Sequence, residues 1–248
     1  MDANTILTTE NISRIKSEFD ALMDATSAWP IVTSKGNVTV RKNKEGHWVG
    51  QGPIPLNVAR TIQLLTDPSQ RLLWDKVMDV YKYVENVERV DHSKVLGAAE
   101  ADSGNVSAGI TYTRLTPAVG GMISARDFLD ASVVVRRPGS ESKIHDLVWE
   151  SLDPDVYGQY IASFNAPPGT KSTGAAVRGR NYLAGCRVTK MDTNEEECWM
   201  QYCIKSDIKG SVPVWLVDLG VGGSLESIFA ELRKEAARIH GSTNLTDQ

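Results

Sequence analysis

The stretch CWMQYCIKSDIKGSVPVWLVDLGVGGSLESIFAELRKEAARIH, residues 198–240, places a strand pattern directly before a helical pattern. In the first part, apolar side chains that share one face of a β-strand recur at every second position: Cys198, Met200, Tyr202 and Ile204. After Pro213, apolar side chains recur at three- and four-residue steps, as on one side of a helix: Leu225, Ile228, Phe229, Leu232, Ala236 and Ile239. The stretch therefore predicts a strand that leads into one long helix able to cover a sheet.

Three glycines, Gly220, Gly222 and Gly223, fall inside the predicted helix. Glycine in a helix interior costs about 1 kcal/mol relative to alanine, so we expect a kink or a break there. Such a break is a candidate hinge, because glycine tolerates large backbone changes. A static kink between two helical pieces is the alternative.

Upstream of this stretch, the sequence predicts a large antiparallel sheet. Residues 81–208 are rich in β-branched and aromatic side chains, and turn signals separate about six runs of strand length. Short strands are predicted at residues 31–33, 38–41 and 48–50, followed by a helix from Pro55 to near Asp67.

The beginning of the chain predicts an amphipathic helix over residues 9–24. Its apolar side chains follow helical spacing: Ile12, Ile15, Phe19, Leu22 and Met23. Arg14, Lys16 and Glu18 are expected to point away from this apolar stripe. We expect residues 1–28 to pack on the main domain, residues 29–241, and residues 242–248 to form a disordered tail.

Length and charge exclude several classes of protein. The chain has 248 residues, 41% of them hydrophobic, which suits one domain with a sizeable core. Its 27 basic and 31 acidic residues give a net charge of -4 and are spread along the chain, so nucleic acid is not an expected partner. The sequence contains neither a secretory leader nor a bilayer-spanning segment, and we expect a cytoplasmic protein.

The cysteines and histidines predict neither a disulfide framework nor a metal site. Cys186, Cys198 and Cys203 are odd in number and lie in one strand-rich region, which suits reduced thiols. The four histidines are scattered and no CxxC pair occurs, so we expect no zinc site and no cofactor.

These elements predict an α+β fold in which a curved sheet grips one long helix. A helix is a cylinder about 10 Å wide, so it cannot close flat against a strongly curved sheet. The space left between them is the expected ligand cavity.

Four stretches resemble the START family, the lipid-transfer domains related to steroidogenic acute regulatory protein. They are RLLWDKVMD (71–79), ISARDFLD (123–130), VRGRNYLAGC (177–186) and SDIKGSVPVWLVD (206–218). The resemblance covers nearly the whole chain after Trp29. It implies a helix-grip fold of the START and Bet v 1 type over residues 29–241, an enclosed cavity for one lipid and no catalysis. We also expect a monomer that touches membrane surfaces transiently.

The resemblance further implies a gate made by the C-terminal helix and the loop before Arg126. Arg126 and Asp127 follow the Gly120–Gly121 loop and open a strand. An ion pair there is expected to pin the loop beside the cavity mouth, and a plain strand-end salt bridge is the alternative.

Sterol-binding members of the family carry a buried carboxylate and an arginine that flank this motif. Thr113 and Ser132 occupy those positions here, and neither is charged. A sterol, a carotenoid-like isoprenoid and an acyl lipid therefore all remain open as ligands.

Two aspartates are candidates for recognising a polar group of the ligand. If Ser132 faces the cavity, the two-residue period of a strand places Asp130 on the same face. Helical spacing puts Asp218 within the apolar stripe of the last helix, unless the glycines rotate it into solvent. The complete set of expected ligand contacts is Thr113, Phe128, Asp130, Ser132, Val134, Met200, Tyr202, Asp218, Val221 and Leu225. The expected gate and structural residues are Arg126, Asp127, Gly220, Gly222 and Gly223.

Two other functional classes stay open beside a lipid carrier. One is a lipid-responsive sensor, in which bound lipid stabilises a closed form that recruits a partner. The other is an enzyme, because related helix-grip folds include cyclases and hydrolases. Cys186 is the nearest candidate nucleophile, but a cysteine in a strand is more often a small buried hydrophobic residue.

Overall fold

The computed structural model describes residues 2–88, 90–96, 104–136, 144–165, 175–210 and 212–246. The helices within these ranges are α1 (Ala3–Ile6), α2 (Thr9–Ala25), α3 (Val58–Thr66), α4 (Pro68–Trp74), α5 (His92–Leu96), α6 (Pro154–Ser163) and α7 (Val214–Thr246). The strands are β1 (Ile31–Lys35), β2 (Val38–Lys42), β3 (Trp48–Ile54), β4 (Met78–Asn86), β5 (Asn105–Leu115), β6 (Arg126–Arg136), β7 (Ile144–Ser151), β8 (Val177–Arg178), β9 (Arg180–Asn181), β10 (Ala184–Lys190), β11 (Cys198–Ile204) and β12 (Ser206–Asp207).

The main sheet is antiparallel along its whole path, in the order β1-β2-β3-β11-β10-β7-β6-β5-β4. The short strand β8 adds a parallel pairing at the start of β6, and β9 pairs with β12 in a separate two-stranded sheet. The antiparallel sheet and the long C-terminal helix of the prediction are therefore both present.

Helices cover both faces of the sheet, because both faces carry apolar side chains. On the inner face, Val134 and Met200 pack in one core with Leu225, Phe229 and Leu232 of α7. The outer core joins Leu129 and Val133 of β6 to three residues of α2, Ile12, Ile15 and Phe19. Full burial of such a side chain stabilises the fold by about 1.5–3 kcal/mol. The N-terminal helix thus packs on the domain, as predicted.

The C-terminal helix is continuous through Gly220, Gly222 and Gly223, so the predicted break is wrong. The part after the glycines is fixed by burial, with Phe229 and Leu232 at 0% exposure. Tertiary packing of this kind, rather than propensity, provides most helix stability in proteins, and it outweighs the cost of the glycines. The helix also continues through residues 242–246, which we expected in a disordered tail, while 247 and 248 lie outside the described residues.

Lys16 is a buried charged residue of α2. Its side chain is 3% exposed and its ammonium lies 3.3 Å from the Asp146 carboxylate of β7. The same ammonium contacts Asp20, and Arg187 of β10 also pairs with Asp146. Buried charges require partners of opposite sign, so this cluster fixes α2 against the sheet.

Two helix boundaries differ from the prediction because capping residues decide them. The helix expected from Pro55 begins instead at Val58, where the Asn57 side chain accepts a hydrogen bond from the Arg60 backbone amide. Residues 154–163, taken as part of a turn and a strand region, form α6, which Asp153 caps and Pro154 opens. Asp followed by Pro is typical of a helix N-terminus as well as of a turn.

Candidate functional site

A cavity of about 340 Å³ lies between the inner face of the sheet and the N-terminal part of α7. That volume is at the lower end of the range for ligand pockets, roughly 300–1,000 Å³. Its walls are mainly apolar, with contributions from Leu65, Val77, Leu115, Phe128, Trp149, Ile204, Val221, Leu225 and Ile228. A second groove of about 760 Å³ lies outside, between α2 and the β2–β3 turn, but it is more open to solvent. The internal cavity is therefore the better enclosed site.

The cavity brings together many of the residues that the sequence singled out. The expected ligand contacts on its wall are Thr113, Phe128, Asp130, Tyr202, Val221 and Leu225. The gate residues on its wall are Arg126 and Gly220, whereas Gly222 and Gly223 are outside this set. Phe128 and Asp130 share the cavity face of β6 because side chains alternate along a strand.

Three other expected contacts belong to the same face of the sheet but not to the cavity wall. Val134 and Met200 are packed within the inner core. Ser132 is 2% exposed, and its hydroxyl oxygen has no hydrogen-bond partner among the described residues. Side chains at the filled end of the sheet therefore pack against α7 rather than lining the space.

Asp218 lies away from the cavity, in an ion pair with Lys42 of β2. The Lys42 nitrogen is 2.7 Å from the Asp218 carboxylate, and 37% of the Asp218 side chain is exposed. The Lys42 ammonium also sits 4.8 Å from the centre of the Trp48 ring. Asp218 reaches this position on an unbroken helix, so no rotation at the glycines is involved.

Arg126 pins the loop before β6, but it does so through carbonyl groups rather than the expected ion pair. It donates hydrogen bonds to the backbone oxygens of Ser124, at 2.6 Å, and of Lys209, at 3.2 Å. The loop that it holds turns at Gly120 and Gly121, whose φ values of 63° and 92° favour glycine. Arg126 thereby links the loop to the turn that precedes α7.

Asp127 points to the opposite face of β6, because side chains alternate along a strand. Its carboxylate accepts hydrogen bonds from the Arg178 guanidinium at 2.8 Å and 3.1 Å. The Tyr112 hydroxyl donates a further hydrogen bond to it at 3.1 Å. Asp127 therefore joins β5, β6 and β8 and has no place on the cavity wall.

The wall carries a buried ion pair that the sequence reading missed. Arg71 is 1% exposed, and its guanidinium lies 2.8 Å from the Asp75 carboxylate, one helical turn further along α4. It also donates to the Tyr202 hydroxyl oxygen at 3.3 Å, while its Nη1 has no partner among the described residues. Opposite charges four residues apart in RLLWD were the available signal, since such residues are neighbours on a helix.

Asp130 is the second charged group on the wall. It is 2% exposed, and it accepts hydrogen bonds from the Ser151 hydroxyl at 2.5 Å and the Asn181 amide at 2.9 Å. Burial raises its pKa to about 6, even though these hydrogen bonds and Arg178 act in the opposite direction. The cavity wall thus carries an acidic side chain at Asp130 and a basic side chain at Arg71.

Tyr202, the sheet residue that contacts Arg71, is in a different row of the sheet from Asp130. Tyr202, which contacts Arg71, lies in the same row as Val134 through the pairings with Cys186 and Leu147. Asp130 is four residues from Val134, roughly 13 Å along the strand. The backbone positions of Tyr202 and Asp130 are therefore in different rows of the sheet.

Three features of the described residues bear on metal binding, thiol chemistry and membrane spanning. Among them, no group of three or more His, Cys, Asp or Glu side chains is arranged to hold a metal ion. Burial raises the pKa of the Cys186 thiol, which makes that residue a poor nucleophile. Within the same residues, no helix combines the length and apolar character that crossing a membrane requires.

Comparison with known proteins gives consistent matches. The START domain family model matches residues 19–234. Human StAR-related lipid transfer protein 6 is 22% identical over 220 residues, which cover 87% of this chain and 84% of that protein. The structure of human StAR-related lipid transfer protein 5 aligns with a TM-score of 0.70 and 18% identity, over 94% of this chain and 98% of that chain.

A bacterial structure shares the fold as well. A fragment of the STAR-related lipid transfer protein from Xanthomonas axonopodis aligns with a TM-score of 0.55 and 14% identity, over 84% of this chain and 98% of that chain. The family match at residues 19–234 includes all four motifs, the sheet and most of α7. The chain therefore belongs to the START domain family, and its fold is the helix-grip fold.

Proposed function

We propose that this protein binds one lipid in its internal cavity and transfers it between membranes. START domains generally bind and transfer lipids, and they are not typically enzymes. The observation that carries the proposal is the cavity itself, a space of about 340 Å³ beneath α7 whose surface is mainly apolar. Pockets of this composition are typical of small hydrophobic ligands.

The size of the cavity favours a compact lipid. A volume of about 340 Å³ suits one ring system or one chain better than a lipid with two long chains. A sterol, an isoprenoid and a single acyl chain are therefore the ligands proposed here.

The basic side chain on the wall favours a ligand with a hydrogen-bond acceptor. Arg71 keeps one nitrogen, Nη1, without a partner among the described residues. A buried guanidinium that is not fully hydrogen-bonded is costly, so an acceptor oxygen of the ligand would stabilise it. Tyr202, hydrogen-bonded to the same guanidinium, lies beside this position on the wall.

The proposed gate consists of α7 and the loop before Arg126. Leu216, Val217 and Gly220 form part of the cavity wall, and none of the three is fully buried. The later part of α7 is anchored differently, since Arg233 donates hydrogen bonds to the backbone oxygens of Gly36 and Pro53. Opening of the first part alone is therefore the less costly movement.

The proposed membrane contact is an apolar patch beside the cavity. Three side chains there are exposed to solvent: Leu73 at 54%, Val77 at 40% and Met122 at 73%. Val77 also lines the cavity, and Met122 precedes Ile123, which does so too. We propose that these side chains together form the surface that contacts membranes, as exposed apolar patches commonly do.

A vesicle transfer assay tests the proposal. Donor vesicles carry a fluorescent lipid with a quencher, acceptor vesicles carry neither, and a catalytic amount of protein is added. A carrier moves many lipid molecules per protein molecule. Retention of one lipid per protein without transfer would favour the sensor, and absence of any bound lipid would contradict both.

A further inference from the structure

Among the described buried carboxylates, Asp130 is the one that has no cation as its partner. The others each lie near a cation: Asp75 near Arg71, Asp79 near Arg114, Asp127 near Arg178, Asp146 near Arg187 and Glu235 near Arg238. Asp130 has only neutral donors, Ser151 and Asn181. Burial of a carboxylate without a cation is expensive, so its presence on a cavity wall points to a functional role.

The neutral donors are themselves oriented by a second set of hydrogen bonds. The Ser206 hydroxyl donates to Asn181 Oδ1 at 2.6 Å, which turns the Asn181 amide nitrogen toward Asp130. The Asn181 backbone amide donates to Ser151 Oγ at 2.7 Å, which leaves the Ser151 proton for Asp130. This network keeps Asp130 a hydrogen-bond acceptor.

Each oxygen of Asp130 accepts one hydrogen bond from the protein, and a carboxylate has about four acceptor positions. Its side chain forms part of the cavity wall, between Phe128 and the packed end of the sheet. Acceptor capacity is therefore left on a group that borders the ligand space.

We infer that Asp130 selects lipids that carry a hydroxyl group, by accepting a hydrogen bond from that hydroxyl inside the cavity. This inference rests on the proposed function and deepens it. A neutral hydroxyl suits the site because it brings a donor without a charge that would itself have to be desolvated.

The strength of the expected selection follows from the charge on the acceptor. A hydrogen bond to a charged group changes affinity by about 10- to 100-fold. An ether of the same shape has no hydrogen-bond donor, so it should bind more weakly than the alcohol by this factor. Sterols and long-chain alcohols share the hydroxyl, and the shape of the cavity decides between them.

Four lipids form the test: cholesterol and its methyl ether, and hexadecan-1-ol and its methyl ether. Each is delivered to the full chain from a cyclodextrin complex, and binding is followed by tryptophan fluorescence, because Trp149 lines the cavity. In the wild type at pH 7, one alcohol binds about 10- to 100-fold more tightly than its ether. The pair that shows this ratio identifies the sterol or the single chain as the ligand type.

Two variants separate recognition from folding. Asp130→Asn brings the ratio of alcohol to ether affinity close to one, while retained ether binding shows an intact cavity. Glu235→Gln removes a buried carboxylate that pairs with Arg238 on α7 and is not part of the cavity wall, and it keeps the wild-type ratio. A ratio that survives in Asp130→Asn, or a wild-type ratio near one for both pairs, overturns the inference alone. If none of the four lipids binds, both the inference about Asp130 and the proposed function are contradicted.

The ratio of alcohol affinity to ether affinity should also depend on pH. Arg178 of β8 and Glu150 of β7 are the charged groups that act on Asp130, in opposite directions, and Ser151, Asn181 and Thr111 are its uncharged neighbours. A donor stabilises the ionised carboxylate, so alcohol affinity rises as the pH increases through about 6, the pKa of Asp130. Ether affinity stays level. An alcohol-to-ether ratio that is constant from pH 5 to 7.5 contradicts the inference.

Discussion

The Lys42 ammonium of β2 lies 2.7 Å from the Asp218 carboxylate near the start of α7. This contact joins the first part of the helix to β2. The side chains of the pair are 30% and 37% exposed, so the contact is only partly screened from water. It lies on the part of α7 that also lines the cavity, and we propose that it favours the closed form of the gate.

Breaking this ion pair is expected to accelerate lipid exchange. Lys42→Met and Asp218→Asn should each raise the rate of lipid release about 2- to 5-fold, the effect of a partly exposed pair. The double variant should be no faster than the single ones, because both remove the same contact. Release is followed by stopped-flow fluorescence after mixing loaded protein with vesicles.

Glu195→Gln is the control, since it breaks the exposed Lys190–Glu195 pair, in which neither residue belongs to α7 or to the cavity wall. It should leave release unchanged. Additive effects of Lys42→Met and Asp218→Asn would show that the two residues act independently, for example through the helix dipole.

Alanine in place of Gly222 and Gly223 is expected to slow lipid exchange. A Cβ at Gly223 meets nothing within 4 Å, and one at Gly222 reaches the Trp48 ring at an ordinary 3.6 Å. Each alanine favours the helix by about 1 kcal/mol, so the closed gate becomes harder to distort. Vesicle transfer rates measure the effect.

Gly158→Ala is the matched control, because Gly158 also lies in a helix, α6, with open space around it. It should raise the melting temperature without changing transfer. Equal transfer rates in the wild type and in the double alanine variant would show that Gly222 and Gly223 do not act as a hinge in lipid transfer.

The Arg71–Asp75 pair is expected to contribute more to ligand recognition than to stability. Arg71→Met alone leaves a buried carboxylate without its cation, which costs about 3–5 kcal/mol. Arg71→Met combined with Asp75→Leu should recover most of that stability, because apolar residues can replace a buried pair. Urea denaturation measures both effects.

The recovered double variant should still bind a fatty acid about 10-fold more weakly than the wild type, since the guanidinium donor is gone. Affinity for the hydrocarbon chain alone, measured with hexadecane, should not fall. A double variant that is stable and binds palmitate at wild-type strength would exclude Arg71 as a ligand contact.

Asp130 is expected to make stability depend on pH. Its folded-state pKa of about 6 lies above the ordinary value of 3.8, so the unfolded chain loses this proton first as the pH rises. The contribution of protonated Asp130 to the free energy of unfolding is complete below about pH 4. It is lost as the pH rises through 6, and the total loss is up to about 3 kcal/mol. Asp130→Asn removes this dependence, and the difference in unfolding free energy between the two proteins should widen from pH 4 to 7. A constant difference would mean that Asp130 does not titrate in this range.

Met122 is expected to contribute to membrane contact. Met122→Asp places a charge on the most exposed of the apolar side chains beside the cavity, 73% of which is accessible. Binding to phosphatidylcholine vesicles in a flotation assay should weaken several-fold, while the melting temperature stays the same. Val156→Asp is the control, because Val156 is 64% exposed but lies in α6 and away from the cavity wall. Equal losses in both variants would indicate non-specific adsorption.

Periodicity was enough to predict the elements that repeat regularly. The alternation around Met200 and Tyr202 placed β11, and three- and four-residue steps placed α7. The same alternation on β6 put Phe128 and Asp130 on the cavity face. Local pattern could not predict pairings between distant residues, such as Lys42 with Asp218 or Lys16 with Asp146. Those contacts decide whether a charged side chain is buried or exposed, and they depend on the tertiary fold.

Native mass spectrometry of the purified protein, followed by lipid extraction, shows directly whether a lipid occupies the cavity. We predict a complex of one chain with one compact lipid, and the mass of the extracted lipid should match a compound with a hydroxyl group. It also predicts that a bulky replacement on the cavity wall, Val221→Trp, reduces the bound fraction. Protein that stays empty after incubation with sterols, isoprenoids and single-chain lipids would contradict the account.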